Sequence, residues 1–134
     1  MNSNQNAAVK NKKPHRNLLA WQKAMDLAVE TYQATRMFLK EESYGLTLQL
    51  RRAAVSAPSN IAEGAADRMK QQFSNYLSNA IGSLNELDTQ LELALRLGYV
   101  KQNDYDRLYK TLDECLALTY GLRRAVNGKQ TSKT

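Results

Sequence analysis

The sequence contains few of the residues from which catalytic centres, metal sites and cross-links are built. Its 134 residues include one cysteine, one histidine and two prolines. A single cysteine excludes an internal disulfide framework, and one cysteine beside one histidine cannot form a zinc cluster. No apolar run approaches the roughly 20 residues that cross a bilayer, and no secretory signal stands at the start. These absences favour a soluble, cytoplasmic protein.

The few reactive side chains lie in unpromising places. His15 belongs to a polar leader, and Cys115 falls on the apolar seam of the last predicted helix. A small buried thiol is a far commoner use of such a cysteine than a nucleophile. The Glu-x-x-His pairs of di-metal bundles do not occur. We therefore expect a protein that is not an enzyme, with no catalytic, metal-binding or cofactor-binding residues.

Positive charge is concentrated near the two ends of the chain. The formal net charge is +6, and six of the 19 lysines and arginines lie outside residues 18–126, which leaves 13 against 13 acidic residues. The leader carries Lys10, Lys12, Lys13 and Arg16. A basic arm can bind phosphate by counterion release, and it can equally be a solubilising tail. We predict one domain at 18–126, a disordered basic leader at 1–17 and a disordered tail at 127–134.

Four amphipathic segments fill that domain. Apolar spacing predicts helices over about 18–39, 46–65, 69–97 and 103–126. The third has the clearest seam, with steps of four and three: Phe73, Leu77, Ala80, Leu84, Leu87, Leu91 and Ala94. The second has a seam of smaller residues: Leu46, Leu50, Ala53, Ala57 and Ile61. The first has a broad apolar face: Trp21, Ala24, Met25, Ala28, Val29, Tyr32 and Phe38. Short connections and no strand pattern predict an all-α, antiparallel, up-and-down four-helix bundle.

The second predicted helix has the most distinctive surface. A polar stripe points away from its seam: Arg52, Ser56, Ser59 and Glu63. The neighbouring stripe is largely apolar and is also expected off the core: Arg51, Val55, Pro58 and Ala62. Leu27 and Met37 on the first helix add candidate contact surface. The combination indicates a subunit interface, whose candidates are Arg51, Arg52, Val55, Pro58, Asn60 and Glu63.

Basic residues give a second hypothesis, nucleic-acid binding. The candidates in the body of the chain are Arg51, Arg52, Arg68 and Lys70, and those in the leader are Lys10, Lys12, Lys13 and Arg16. No recognised binding module accompanies them. Arginines near a helix end can also satisfy the helix dipole or pair with acids. An RNA- or DNA-binding protein and a structural scaffold therefore both stay open.

Three blocks of sequence carry a family resemblance. They read LLAWQKAMDLAVETY, YGLTLQLRRAAVSAPSNIAEGAADR and FSNYLSNAIGSLNELDTQLELALRLGYV. In this order they resemble the four-helix-bundle family of 23S rRNA intervening-sequence proteins, over about residues 18–126. The resemblance implies a homopentamer around a central axis and a biochemical role that is not settled. It also implies distant kinship with the accessory protein of diversity-generating retroelements, a pentameric bundle that binds nucleic acid and a reverse transcriptase.

Overall fold

The structure is a computed structural model that describes residues 13–131 of the backbone, with side chains to residue 128. Four helices make up most of it: α1 (Leu19–Thr35), α2 (Leu46–Ala66), α3 (Lys70–Arg96) and α4 (Gln102–Thr131). No strand occurs in this range. Each helix packs on the next, and α1 packs on α4, which closes the ring of neighbours. The predicted all-α four-helix bundle is confirmed, and no helix within the described range is long and apolar enough to span a membrane.

Contacts between neighbours show that consecutive helices run in opposite directions. Arg51 near the start of α2 bonds Thr35 at the end of α1. Arg123 late in α4 bonds Ser78 early in α3. The beginnings of α1 and α3 therefore lie at the same end of the bundle as the final turns of α2 and α4.

The core follows the two predicted seams of α2 and α3. Leu50, Ala57 and Ile61 of α2 are each no more than 1 % exposed. On α3, six of the seven predicted seam positions are buried: Leu77, Ala80, Leu84, Leu87, Leu91 and Ala94. Phe73 is partly buried against the same cluster. Regular spacing of four and three therefore located the centre of the bundle correctly.

The predicted exposure of Pro58 is wrong, because the proline is buried within α2. Helix α2 is covered by α1, by α3 and by a 3-10 turn at Pro14–Asn17, so it buries more than one stripe. Side chains next to the proline bond nearby carbonyls: Ser59 Oγ donates to Val55 O at 2.8 Å and Asn60 Nδ2 donates to Ser56 O at 2.9 Å.

Gly64 lies in a close contact between α2 and α3. Helix α2 continues past it to Ala66. A Cβ atom at this position would lie 2.8 Å from Tyr76 Cβ and 2.9 Å from Phe73 Cδ1. Only a residue without a side chain lets α2 and α3 approach this closely.

Helix α1 buries only part of the predicted face, namely Ala24 and Ala28, with Trp21 and Phe38 partly buried against the core. Its buried residues are Ala20, Ala24, Leu27, Ala28, Thr31 and Thr35. Leu27, expected on the surface, is 1 % exposed, whereas Met25, Val29 and Tyr32 are exposed. The two threonines can be buried because their hydroxyls donate to the carbonyls of Leu27 and Thr31, both at 2.8 Å, which leaves no unpaired polar group.

The helix ends differ by a few residues from the sequence prediction. Helix α1 stops at Thr35, and α4 continues to Thr131 instead of ending near Val126. Gly98 follows the end of α3 with φ +79°, a backbone conformation that favours glycine. Pro14–Asn17 forms a 3-10 turn, so the last part of the predicted leader is structured.

Candidate nucleic-acid and assembly surfaces

One end of the bundle is basic, and we call it the basic end. It is formed by the described parts of residues 13–22, 63–75 and 118–128. Its six cationic side chains are Lys13, Arg16, Arg68, Lys70, Arg123 and Arg124, against two acids, Glu63 and Asp67, which gives a net charge of +4. The opposite end, residues 35–48 and 90–107, has five basic and five acidic residues and a net charge of zero. Antiparallel packing therefore separates charge that is mixed along the sequence.

The cations of the basic end are largely free of acidic partners. Ion pairs within the described residues join Lys23 to Glu114, Arg96 to Glu92 and Arg107 to Asp104. None of them involves the basic end. Arg68 and Lys70 are exposed there. Of its two acids, Glu63 lies close enough to Tyr76 to raise the pKa of that phenol, and Asp67 accepts a hydrogen bond from the Met69 amide at 2.9 Å.

Four predicted phosphate ligands belong to this end, and two lie outside the described residues. Lys13, Arg16, Arg68 and Lys70 are brought together by the fold. Lys10 and Lys12 are not among the described residues. Sequence spacing could not reveal the grouping, because 52 positions separate Arg16 from Arg68, and only the antiparallel order of the helices joins them.

Arg51 is occupied within its own chain. Its Nε donates to Thr35 Oγ1 at 2.8 Å, and its guanidinium carbon lies 4.5 Å from the centroid of the Tyr32 ring. A second nitrogen donates to the Tyr32 carbonyl at 3.4 Å. The side chain is half-buried. These contacts tie α2 to the end of α1, a stabilising role that the sequence did not suggest. Arg52, by contrast, is exposed.

The other interface candidates on α2 differ in exposure. Val55 is 44 % exposed and Glu63 is exposed. Asn60 is half-buried and bonds Ser56 of the same helix. Ser56 Oγ in turn lies 2.8 Å from Ser83 Oγ on α3. The polar stripe predicted to face outward is therefore partly used between α2 and α3.

An exposed apolar surface runs along α1 and reaches α2, and we call it the assembly face. It consists of Met25, Val29 and Tyr32, which are 40, 53 and 40 % exposed, together with Val55. Val55 lies one turn along α2 from Arg51, whose guanidinium covers the Tyr32 ring. Sequence reasoning missed this surface because it placed the three α1 residues in the core. Contiguous exposed apolar side chains of this kind commonly mark contact surfaces.

Two features of the described residues bear on catalysis, a cleft and a buried thiol. A cleft of about 290 Å³ between α1 and α4 is lined in part by Glu30, Asp104 and Arg107, and the last two pair with each other at 2.6 Å. Burial raises the pKa of the Cys115 thiol to about 11, and its sulfur faces the Ala20 carbonyl at 3.9 Å. No group of three or more histidine, cysteine, aspartate or glutamate residues within the described range could hold a metal ion.

The element order and packing define the fold class, an all-α four-helix bundle. A family model for the 23S rRNA-intervening sequence protein matches residues 16–121, so the chain belongs to that family. A crystal structure of a protein of unknown function from the S23 ribosomal protein family of Bacteroides thetaiotaomicron VPI-5482 is similar, with a TM-score of 0.73 and 21 % identity. The similarity covers 79 % of this chain and 96 % of that one and supports the fold alone. Among curated proteins, none matches this chain.

Proposed function

We propose that this protein is a non-enzymatic, homopentameric bundle that binds RNA or DNA through its basic end. The observation that carries the proposal is the net charge of +4 at one end against zero at the other. Lysines and arginines without acidic partners gain most from phosphate, because they release the counterions condensed on the nucleic acid.

A cyclic oligomer would strengthen the basic surface. In a cyclic oligomer, the same end of every copy faces the same side. Five basic ends placed side by side would create a positive potential that one bundle does not have. The whole described chain carries little net charge, so the effect depends on this grouping.

The test compares charge removal at the two ends of the bundle. The double variant Arg68→Ala/Lys70→Ala removes two cations from the basic end. The matched control, Lys40→Ala/Lys101→Ala, removes two exposed cations from the opposite end, whose net charge is zero. Binding to labelled RNA and DNA of equal length is measured by fluorescence anisotropy between 50 and 300 mM salt. We expect the first variant to bind more weakly and to show a salt slope smaller by about two, with the control close to wild type. Equal slopes in both variants, or binding that ignores salt, would contradict the proposal.

A scaffold without nucleic-acid binding is the second candidate, and the assembly face favours it. Four partly exposed apolar side chains on adjacent helices suit a contact with another copy. In this case the oligomer itself is the functional unit, and its partner is a protein.

Introducing a charge into the assembly face tests the oligomer directly. Val29→Asp places a carboxylate at the centre of the α1 stripe. As a control, Leu97→Asp places a carboxylate at the end of the bundle opposite the basic end, where Leu97 is 53 % exposed. We expect light scattering to show a reduced mass for Val29→Asp only, with helical circular dichroism retained in both. An unchanged mass for Val29→Asp would show that copies do not meet through this face.

A further inference from the structure

The turn that precedes α1 is held rigidly at the basic end. Within Pro14–Asn17 and its flanks, the Arg16 amide donates to Lys13 O at 3.1 Å and the Leu18 amide donates to His15 O at 3.0 Å. The Gln22 side chain then donates to the Arg16 carbonyl at 2.8 Å. These bonds fix the turn to the first turn of α1, so the side chains it carries have defined positions.

Arg16 is placed by an aromatic ring and has an unused donor. Its guanidinium carbon lies 5.4 Å from the centroid of Trp21. The His15 ring meets the same indole edge-on, with centroids 4.9 Å apart. The Nε of Arg16 is buried and has no hydrogen-bond partner among the described residues. A buried N–H without an acceptor is unfavourable, so an anion that reached this donor would remove that cost.

The surroundings of Arg16 are positive. Between residues 13 and 25 no acidic residue occurs, and Arg16 forms no ion pair with any described residue. The pKa of His15 is lowered, first by burial and then by the charges of Arg16 and Lys13. Cations that raise one another's energy in this way are stabilised by a bound anion.

We propose that Arg16, together with Lys13 and His15, binds a phosphate group, with Trp21 as the residue that positions the guanidinium. The guanidinium fork matches phosphate oxygens with two parallel hydrogen bonds, and the adjacent cations match a doubly charged anion better than a single carboxylate. This inference rests on the proposed function, because it names the part of the basic end that contacts the nucleic acid. The phosphate is supplied by a chain end, by a strand backbone or by free phosphate.

The direct test observes the unused donor in the full-length protein. The Arg16 Nε–H resonance is assigned by ¹⁵N NMR and followed during titration with inorganic phosphate, with a 5′-phosphorylated 12-nucleotide RNA and with the same RNA lacking that phosphate. We expect a saturable shift of this resonance. Tighter binding of the phosphorylated strand would identify a chain-end phosphate as the ligand. Equal binding of both strands would identify a backbone phosphate. A shift that occurs only with inorganic phosphate would identify free phosphate.

A charge-conserving variant separates the fork from simple attraction. Arg16→Lys keeps the charge but removes the planar fork, and we expect it to weaken RNA binding by about tenfold. Arg36→Lys makes the same change at an exposed arginine of the opposite end, which has no net charge, and is expected to bind like wild type. Circular dichroism confirms that both variants fold. Equal binding by Arg16→Lys and wild type would overturn the inference, as would a poly-glutamate peptide that shifts the Arg16 resonance at a lower concentration than phosphate does.

The two proposals fail in different ways. If phosphate shifts the Arg16 resonance but no RNA or DNA binds, the phosphate site stands and nucleic-acid binding fails. If RNA binds with the expected salt dependence but Arg16→Lys has no effect, the basic end stands and this site fails.

Discussion

A single substitution, glycine to alanine, is expected to have opposite effects at two positions of the bundle. In an exposed helix interior, alanine stabilises by roughly 0.5–1 kcal/mol relative to glycine. Gly82 is exposed on α3 and a Cβ there would meet nothing within 4 Å, so Gly82→Ala should gain this full amount. Gly64 has the same intrinsic preference, but its new Cβ would lie 2.8 Å from Tyr76 Cβ.

The clash at Gly64 outweighs the helix preference. Tyr76 Cβ is attached directly to the α3 backbone, so it cannot rotate away and the two helices must separate. Overpacking of this kind costs about 1–3 kcal/mol, which leaves Gly64→Ala less stable than wild type by up to about 2.5 kcal/mol once the helix preference of about 0.5–1 kcal/mol is subtracted. At this chain length each kcal/mol corresponds to roughly 2–6 °C in Tm.

Thermal unfolding followed by circular dichroism measures both variants against wild type. The protein concentration is kept constant, because assembly would make Tm depend on it. The reasoning predicts a higher Tm for Gly82→Ala and a lower one for Gly64→Ala. A rise in Tm for Gly64→Ala equal to that of Gly82→Ala would refute the close contact between α2 and α3.

Three further predictions concern titratable groups. With a thiol pKa of about 11, Cys115 should react with a disulfide reagent at pH 8 at least about 100-fold more slowly in the folded protein than in urea, as a stopped-flow assay would show. The hydrogen bond that the Leu46 amide donates to the Glu42 carboxylate holds the pKa of Glu42 below its ordinary 4.5. This hydrogen bond stabilises the fold above pH 4.5, and its contribution is lost as pH falls through the lowered pKa. Glu42→Gln should therefore flatten the acid side of the plot of Tm against pH. Burial and then the Glu92 hydrogen bond raise the pKa of Tyr105 to about 12; its contribution is complete below pH 10 and is lost as pH rises towards 12, and Tyr105→Phe should remove the last phenolate step from the absorbance titration.

The parts of the fold that depend on regular spacing could be predicted from the sequence. Apolar residues at every third or fourth position of α3, four of them leucine, determine one buried face, since any other rotation of the helix would expose several of them at once. This feature depends on the spacing of residues within one helix, so it can be predicted without knowing how the helices pack.

The rotation of α1 could not be predicted in the same way, because its two faces are nearly equal in hydrophobicity. The buried face contains Thr31 and Thr35, and the exposed one contains Met25, Val29 and Tyr32. The exposed face carries more of the large apolar side chains, so side-chain size favours the wrong face. The hydroxyl bonds to the preceding turn, which make threonine acceptable inside, become apparent only in the folded structure.

The grouping of the candidate site residues could not be predicted from the sequence either. Sequence reasoning named Lys13, Arg16, Arg68 and Lys70 individually, but their common location depends on the direction of each helix. It also treated Arg51 and Arg52 as equivalent neighbours. A rotation of 100° between adjacent helix positions directs Arg51 towards Thr35 and Tyr32 and leaves Arg52 in solvent.

The two proposed surfaces are compatible because they lie on different parts of the bundle. The assembly face runs along the side of α1 and α2, whereas the basic end lies where α1 and α3 begin. Contact through the sides would leave the ends uncovered, and a cyclic arrangement would place them on a common surface.

Mutual repulsion between the basic ends would oppose assembly, and bound phosphate would reduce that repulsion. Nucleic acid should therefore stabilise the oligomer, and light scattering at low protein concentration should show a larger mass with RNA than can be explained by the mass of the RNA itself. Equal association of the protein with and without RNA would show that nucleic-acid binding at the basic end does not affect contact through the assembly face.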